Sequence, residues 1–198
     1  MKEIAVSYGI PMEEYSNLNR MSHIWNKTRA YAENHGFDEK KIMDLMNSIN
    51  EPFTIEESAD HSNSILIPGT IEALTKLENK GYSLGLVTTA SRGAYERISN
   101  DPEFGCFSKF FQHSITRDDC KYLKPNPEPI YRILELFGCS DFVFIGDSDH
   151  DVHAVNAASG DFILLNTREY NEETLFLLDV KVVIKSLLEL PKILKSYQ

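Results

Sequence analysis

The stretch Phe142-Val143-Phe144-Ile145-Gly146-Asp147-Ser148-Asp149-His150-Asp151 decides how the rest of the chain is read. Four apolar residues rich in β-formers predict a buried strand. A glycine and a run of acidic and small polar residues then break it, and Val152, Ala154, Val155 and Ala158 continue at helical spacing. A strand that turns into a helix through a polar loop is one half of a βαβ unit.

Two more apolar runs lie on either side, Leu84 to Val87 and Phe162 to Leu165, and both predict strands. Amphipathic stretches separate them. Pro68-Gly69 opens a helix through Ile71, Leu74 and Leu77 to Gly81. Pro129 to Phe137 forms another, with Ile130, Ile133 and Leu134 on its apolar face. Short buried strands alternating with helices indicate an α/β fold with a parallel sheet and helices on both faces. Ligands of such sheets gather at the carboxyl ends of the strands.

Before residue 65 the pattern is helical instead. Tyr15 to His35 places Leu18, Met21, Ile24, Trp25 and Ala32 on one face and stops at Gly36. Glu39 to Asn50 does the same with Ile42, Leu45, Met46 and Ile49, and Pro52 is expected to end it. A third short helix is expected through Ile55 to His61. Trp25 and its aromatic neighbours are expected to be core. The division that follows is a helical unit over 1–64 and an α/β core over 65–198.

Composition narrows the function. The formal charge is −10 at pH 7, which argues against a nucleic-acid surface, since phosphate backbones need a basic patch. Cys106, Cys120 and Cys139 are odd in number and lack CxxC spacing. They predict buried or half-buried thiols of a reducing compartment rather than disulfides or a zinc site. The N-terminus has no basic-then-apolar leader pattern and no apolar run reaches membrane length, so a cytoplasmic protein without a membrane partner is expected.

Three strand-end loops carry polar groups suited to one job. Thr88 and Thr89 follow the first run, Lys124 stands in Lys121-Tyr122-Leu123-Lys124-Pro125-Asn126-Pro127, and Asp147 and Asp151 follow the run quoted above. Alone, a threonine after a strand is usually a cap, a lysine before proline a solvated loop residue, and Asp147 a helix cap. Together at one sheet edge they can handle a phosphoryl group. Threonine hydroxyls and backbone N–H groups would bind phosphate oxygens, and Lys124 would neutralise charge. Asp147 would hold Mg²⁺, with Asp151 one turn along as a water-mediated or supporting partner. His150, Asp151 and His153 point in different directions from a helix start, so exposed histidines are expected there rather than a transition-metal site.

The order Val-Thr, Lys-Pro-x-Pro and Gly-Asp-Ser-x-x-Asp-Val, followed by Ala154, Ala157, Ala158 and Gly160, resembles the second, third and fourth motifs of the haloacid dehalogenase superfamily. The likeness covers residues 65–167. The helical segment ahead of it is similar to the cap of the phosphoglycolate phosphatase and β-phosphoglucomutase branch. The resemblance implies a Rossmann-like core with a small helical cap and a phosphatase acting on a small phosphorylated metabolite with Mg²⁺. By the same resemblance, Thr88 contacts phosphate, Lys124 is the charge-stabilising lysine and Asp147 a magnesium ligand.

The family's first strand ends in Asp-x-Asp, whose first carboxylate attacks phosphorus. No such pair precedes Thr88 here. Asp147-Ser148-Asp149 has the spacing but follows the lysine, so it belongs to the fourth motif. Two readings of residues 2–10 stay open. They are the tail of a helix that follows an absent first motif, favoured by the helix-ending Gly9-Ile10-Pro11, or Glu3 to Val6 is a degenerate strand with Ser7 at its end. The order counts against a two-component receiver domain, since its acidic acceptor would come before the threonine and lysine and here the acidic cluster comes last. A non-catalytic relative with a binding or regulatory role is the alternative to the enzyme.

Overall fold

A computed structural model describes residues 1–59 and 64–197. The chain opens with helix α1, Lys2–Ser7, so residues 3–7 are helical and form no strand. A single 3₁₀ turn at Met12–Tyr15 follows, then α2, Met21–Asn34, and α3, Glu39–Ala59. Their apolar faces meet as expected. Ile24, Trp25, Ala32, Ile42, Leu45, Met46 and Ile49 are all buried in one cluster with Ala5, Ile10 and Tyr15.

Pro52 does not end the second helix. It sits inside α3, which runs on to Ala59. Proline lacks an N–H and strains an α-helix, but contacts on both sides hold the two halves in line. Ile49 is fully buried, Asn50 accepts from Arg117 Nε at 2.7 Å, and Glu57 accepts from the same guanidinium. The expected separate helix is therefore the last part of α3; its expected end at His61 lies outside the described residues.

Helix α4, Thr70–Glu78, leads into strand β1, Gly85–Val87, and α5, Arg92–Ser99. Strand β2, His113–Ile115, carries no apolar run, because its three residues include a histidine and a serine. Helix α6 is Glu128–Phe137, closed by Gly138 in the left-handed conformation at φ 63°. Then come β3, Val143–Gly146; α7, Asp149–Ala157; β4, Asp161–Leu165; α8, Glu172–Leu177; β5, Val182–Ile184; and α9, Leu190–Ile193.

All strand pairing is parallel. β1 pairs with β2, with Val87 opposite Ile115, and β3, β4 and β5 pair in that order. Side chains alternate between faces. Phe144 and Phe162 pack with Ile130 of α6 and Ala154 and Val155 of α7, whereas Val143, Ile145, Ile163 and Leu165 pack with Leu77 of α4 and Leu190 of α9. Helices therefore cover both faces, as the alternating pattern predicts. The strands nevertheless form two sheets rather than one: β1 and β3 are not hydrogen-bonded to each other.

Candidate phosphate and metal site

The carboxyl ends of β1 and β3 open into a cavity of about 610 Å³. Thr88, Thr89, Lys124, Asp147 and Asp151 all line it, so every expected site residue converges there, joined by Arg20 and Arg168.

The turn after β3 is built by reciprocal capping. Ser148 is the N-cap of α7; its Oγ receives Asp151 N–H, and Asp151 Oδ2 accepts from Ser148 N at 3.2 Å and Oγ at 2.6 Å. Two free N–H groups at the helix start are satisfied in this way. The cap is thus Ser148, which leaves the Asp147 side chain directed into the cavity. Gly146 permits the arrangement, because a Cβ there would lie 2.7 Å from Cβ and Cγ of Asp151.

The other carboxylate oxygen, Asp151 Oδ1, accepts from Lys124 Nζ at 2.5 Å, and both side chains are largely buried. Burial pushes the Asp151 carboxyl upward, but the Lys124 charge and the Ser148 hydrogen bonds outweigh it and hold the group below the usual carboxylate range. Lys124 Nζ also approaches Val87 O at 3.4 Å and sits 5.3 Å from the centre of the Phe144 ring. The ammonium therefore bridges the ends of β1 and β3.

The loop carrying Lys124 is gripped by the helical segment. Asn26 of α2 donates to Leu123 O and accepts from Leu123 N, each at 2.7 Å, and Trp25 Nε1 donates to Lys121 O at 3.0 Å. Trp25 is core, as expected, yet its indole N–H also positions this loop. From the other side, Glu128 accepts from the N–H groups of Lys121 and Tyr122.

Asp147 is half exposed, and its Oδ2 accepts from Arg168 Nε at 3.0 Å. Asp149 points elsewhere: both its oxygens accept from Arg20 Nη1, at 2.7 and 2.8 Å. That contact draws the start of α2 onto the start of α7. Thr88 Oγ1 accepts from Ala90 N at 3.1 Å, which turns the backbone after β1. Thr89 presents its carbonyl to Arg117, whose guanidinium is buried and also binds Glu57 and Asn50.

The histidines differ from expectation. His153 is exposed, but His150 is half-buried between α2 and α7, with Nδ1 3.1 Å from Ser22 Oγ and its ring 4.6 Å from that of His23. Burial pushes its imidazole down to about 4. Among the thiols, Cys106 and Cys120 are half-buried as expected, whereas Cys139 is exposed. No helix among the described residues is long and apolar enough to cross a membrane.

Sequence reading missed Arg20, Arg168, Arg117 and Asn26. Arg168 follows β4 by three residues and so obeys the strand-end rule that exposed the others. Arg20, Arg117 and Asn26 act across the chain, and no local pattern marks them.

The family model for haloacid dehalogenase-like hydrolases matches residues 2–165. The chain belongs to the haloacid dehalogenase-like hydrolase family. Among curated relatives, it is similar to the pyrophosphatase PpaX of Bacillus cereus strain AH820, with 28% identity over 119 residues, covering 58% of this chain and 51% of that protein. The chain thus spans about half the length of the curated relatives it matches. Among solved structures, it is similar to a chain from Bacteroides fragilis described as a haloacid dehalogenase-like hydrolase, with TM-score 0.67, 18% identity and coverage of 96% and 90%. A β-phosphoglucomutase from Clostridium difficile matches with TM-score 0.57 and 19% identity, covering 99% of this chain and 86% of that one. At these identities the structural likeness speaks for the fold alone. The haloacid dehalogenase-like family and fold agree with the motifs read from the sequence.

Proposed function

We propose that this chain carries the phosphoryl- and Mg²⁺-binding machinery of a phosphatase acting on a small phosphorylated metabolite, and that the attacking carboxylate is not among its residues. The observation that supports this most directly is the Lys124 ammonium, held between Val87 O and Asp151 within the cavity that Thr88 and Asp147 also line. In an acidic protein this places a fixed cation where a phosphoryl group would bring negative charge.

The donor set fits Mg²⁺. That ion takes one or two carboxylates and completes its shell with water and phosphate oxygens. Asp147 can supply such a ligand from its half-exposed side chain. Asp151 has both oxygens engaged by Lys124 and Ser148, so its part in the metal site is to position Lys124. When bound, the ion would polarise phosphate oxygens and offset their charge. The Thr88 hydroxyl and the N–H groups after β1 would orient the phosphate, and residues 1–64 would act as a cap that shields it from water over a 65–198 core.

Without an Asp-x-Asp before Thr88, binding is expected to exceed turnover. Calorimetry with inorganic phosphate and Mg²⁺ tests the site: binding should be lost in Lys124→Met, and no binding by the intact chain would overturn the reading. Release of phosphate from an aryl phosphate, with and without Mg²⁺, separates the two functional forms. Magnesium-dependent turnover by the pure chain makes it an enzyme in its own right. Binding without turnover supports the second reading, a family member with a binding or regulatory role, which the missing carboxylate pair favours.

A further inference from the structure

Arg168 reaches the cavity from a loop that is tied at both ends. Asn166 N donates to Ile184 O at 2.9 Å, which carries the pairing of β4 with β5 one residue further. The Asn166 side chain then closes the loop on itself: Nδ2 donates to Tyr170 O at 3.1 Å, and Oδ1 accepts from Tyr170 N at 2.8 Å. Between these ties Glu169 turns the chain in the left-handed conformation, at φ 55°. Arg168 thus sits at the tip of a clamped loop, and its side chain lines the cavity. Its Nε donates to Asp147 Oδ2 at 3.0 Å, and its Nη groups have no hydrogen-bond partner among the described residues. The other arginine of the cavity, Arg20, is spent differently, with Nη1 held by both oxygens of Asp149. Arg168 is therefore the cation that sits on the proposed metal ligand.

We propose that Arg168 is an exchangeable counter-ion: it yields Asp147 to Mg²⁺, and the released guanidinium takes up phosphate oxygens in the same cavity. The inference rests on the reading of Asp147 as a metal ligand. Three observations support the exchange. The side chains of the pair are 54% and 43% exposed, and exposed ion pairs are weak enough for an ion of twice the charge to displace. The tied backbone keeps Arg168 at the cavity wall when its side chain lets go, so the guanidinium swings rather than leaves. The open Nη fork has the geometry that grips a phosphate through two parallel hydrogen bonds. Mg²⁺ and phosphate then help each other to bind. Each favours the arrangement that the other needs, and such coupling is reciprocal. Arg168 is thus a positioning residue that links the two ligands.

The test is titration calorimetry of the full chain with Mg²⁺, without phosphate and at saturating inorganic phosphate, so no turnover is involved. Without phosphate, Arg168→Met should bind Mg²⁺ about two- to fivefold more tightly than the intact chain, the scale of an exposed pair. Saturating phosphate should tighten Mg²⁺ about tenfold in the intact chain and only about threefold in Arg168→Met. Arg168→Lys keeps the charge, so its Mg²⁺ affinity without phosphate should return toward that of the intact chain. A lysine variant that binds Mg²⁺ as tightly as the methionine one would trace the effect to the loop and overturn the proposal. Mg²⁺ affinity unchanged or weakened in Arg168→Met overturns it too, as does coupling that survives undiminished. Asp147→Asn separates this failure from that of the underlying reading. Binding that is lost in Asp147→Asn but indifferent to Arg168 removes the exchange alone. Binding that Asp147→Asn leaves intact, or no binding by any of these chains, removes the proposed metal site and the exchange together.

Discussion

Lys124 and Asp151 stand 27 positions apart in sequence and 2.5 Å apart in space, and the pair locks the third motif onto the fourth. Removing one partner of a buried pair leaves an uncompensated charge and costs about 3–5 kcal/mol, whereas removing both is far milder. Asp151→Asn should therefore lose about 3 kcal/mol in urea unfolding. The double variant with Lys124→Met should regain most of it. Equal losses in the single and double variants would show that the pair contributes nothing as a pair.

Gly146 makes that pair possible. A methyl group there would press on Cβ and Cγ of Asp151 at 2.7 Å, and forced overpacking costs about 1–3 kcal/mol. Gly146→Ala should lower stability by that amount and weaken phosphate binding by shifting Lys124. Adding Asp151→Gly, which takes away Cβ as well as Cγ, should remove the clash, so the two changes should be sub-additive in stability. Strict additivity would place the effect of Gly146 elsewhere.

Much of this was readable in the sequence because it is local. The apolar runs leading to Thr88 and Asp147, the glycine after α2 and the apolar faces of α2 and α3 each follow from a few neighbouring residues. What was hidden depends on distant partners. Pro52 looks like a helix stop until Arg117, 65 positions later, is seen binding Asn50 and Glu57 on either side of it. His150 reads as exposed until α2 is seen to lie against it. Strand β2 escaped notice because three residues with two polar side chains carry no periodic signal.

Asp147 should behave as a metal ligand in a measurement free of catalysis. A ligand that binds only the folded state raises stability with concentration, by about 2.7 kcal/mol at a hundredfold excess over its dissociation constant. Added Mg²⁺ should raise the melting temperature of the chain, more so with inorganic phosphate present. Asp147→Asn should remove the rise, and Asp149→Asn, whose carboxylate faces Arg20, should keep it. A rise unchanged by Asp147→Asn would move the metal elsewhere.

Arg117 fastens the helical segment to the site. Its buried guanidinium donates to both oxygens of Glu57 at 2.8 and 2.9 Å, to Asn50 Oδ1 at 2.7 Å and to Thr89 O at 2.9 Å. Burial pushes the Glu57 carboxyl upward, but Arg117 and Ser91 outweigh it and bring the group below its ordinary value. A carboxylate depressed in the folded state adds stability above its unfolded pKa, about 4.3, and loses it as pH falls through the lower folded value. Arg117→Met should cost about 3–5 kcal/mol at neutral pH, since it strands Glu57 and Thr89 O together. It should also flatten the fall in stability below about pH 5, because the charge that holds Glu57 below its ordinary value would be gone. The pairing of the large neutral-pH loss with the flattened acid limb distinguishes a broken ion pair from lost packing, which would lower the whole curve evenly. Glu57→Gln should flatten the same limb, and an acid limb unchanged in both variants would sink this account of how α3 is anchored.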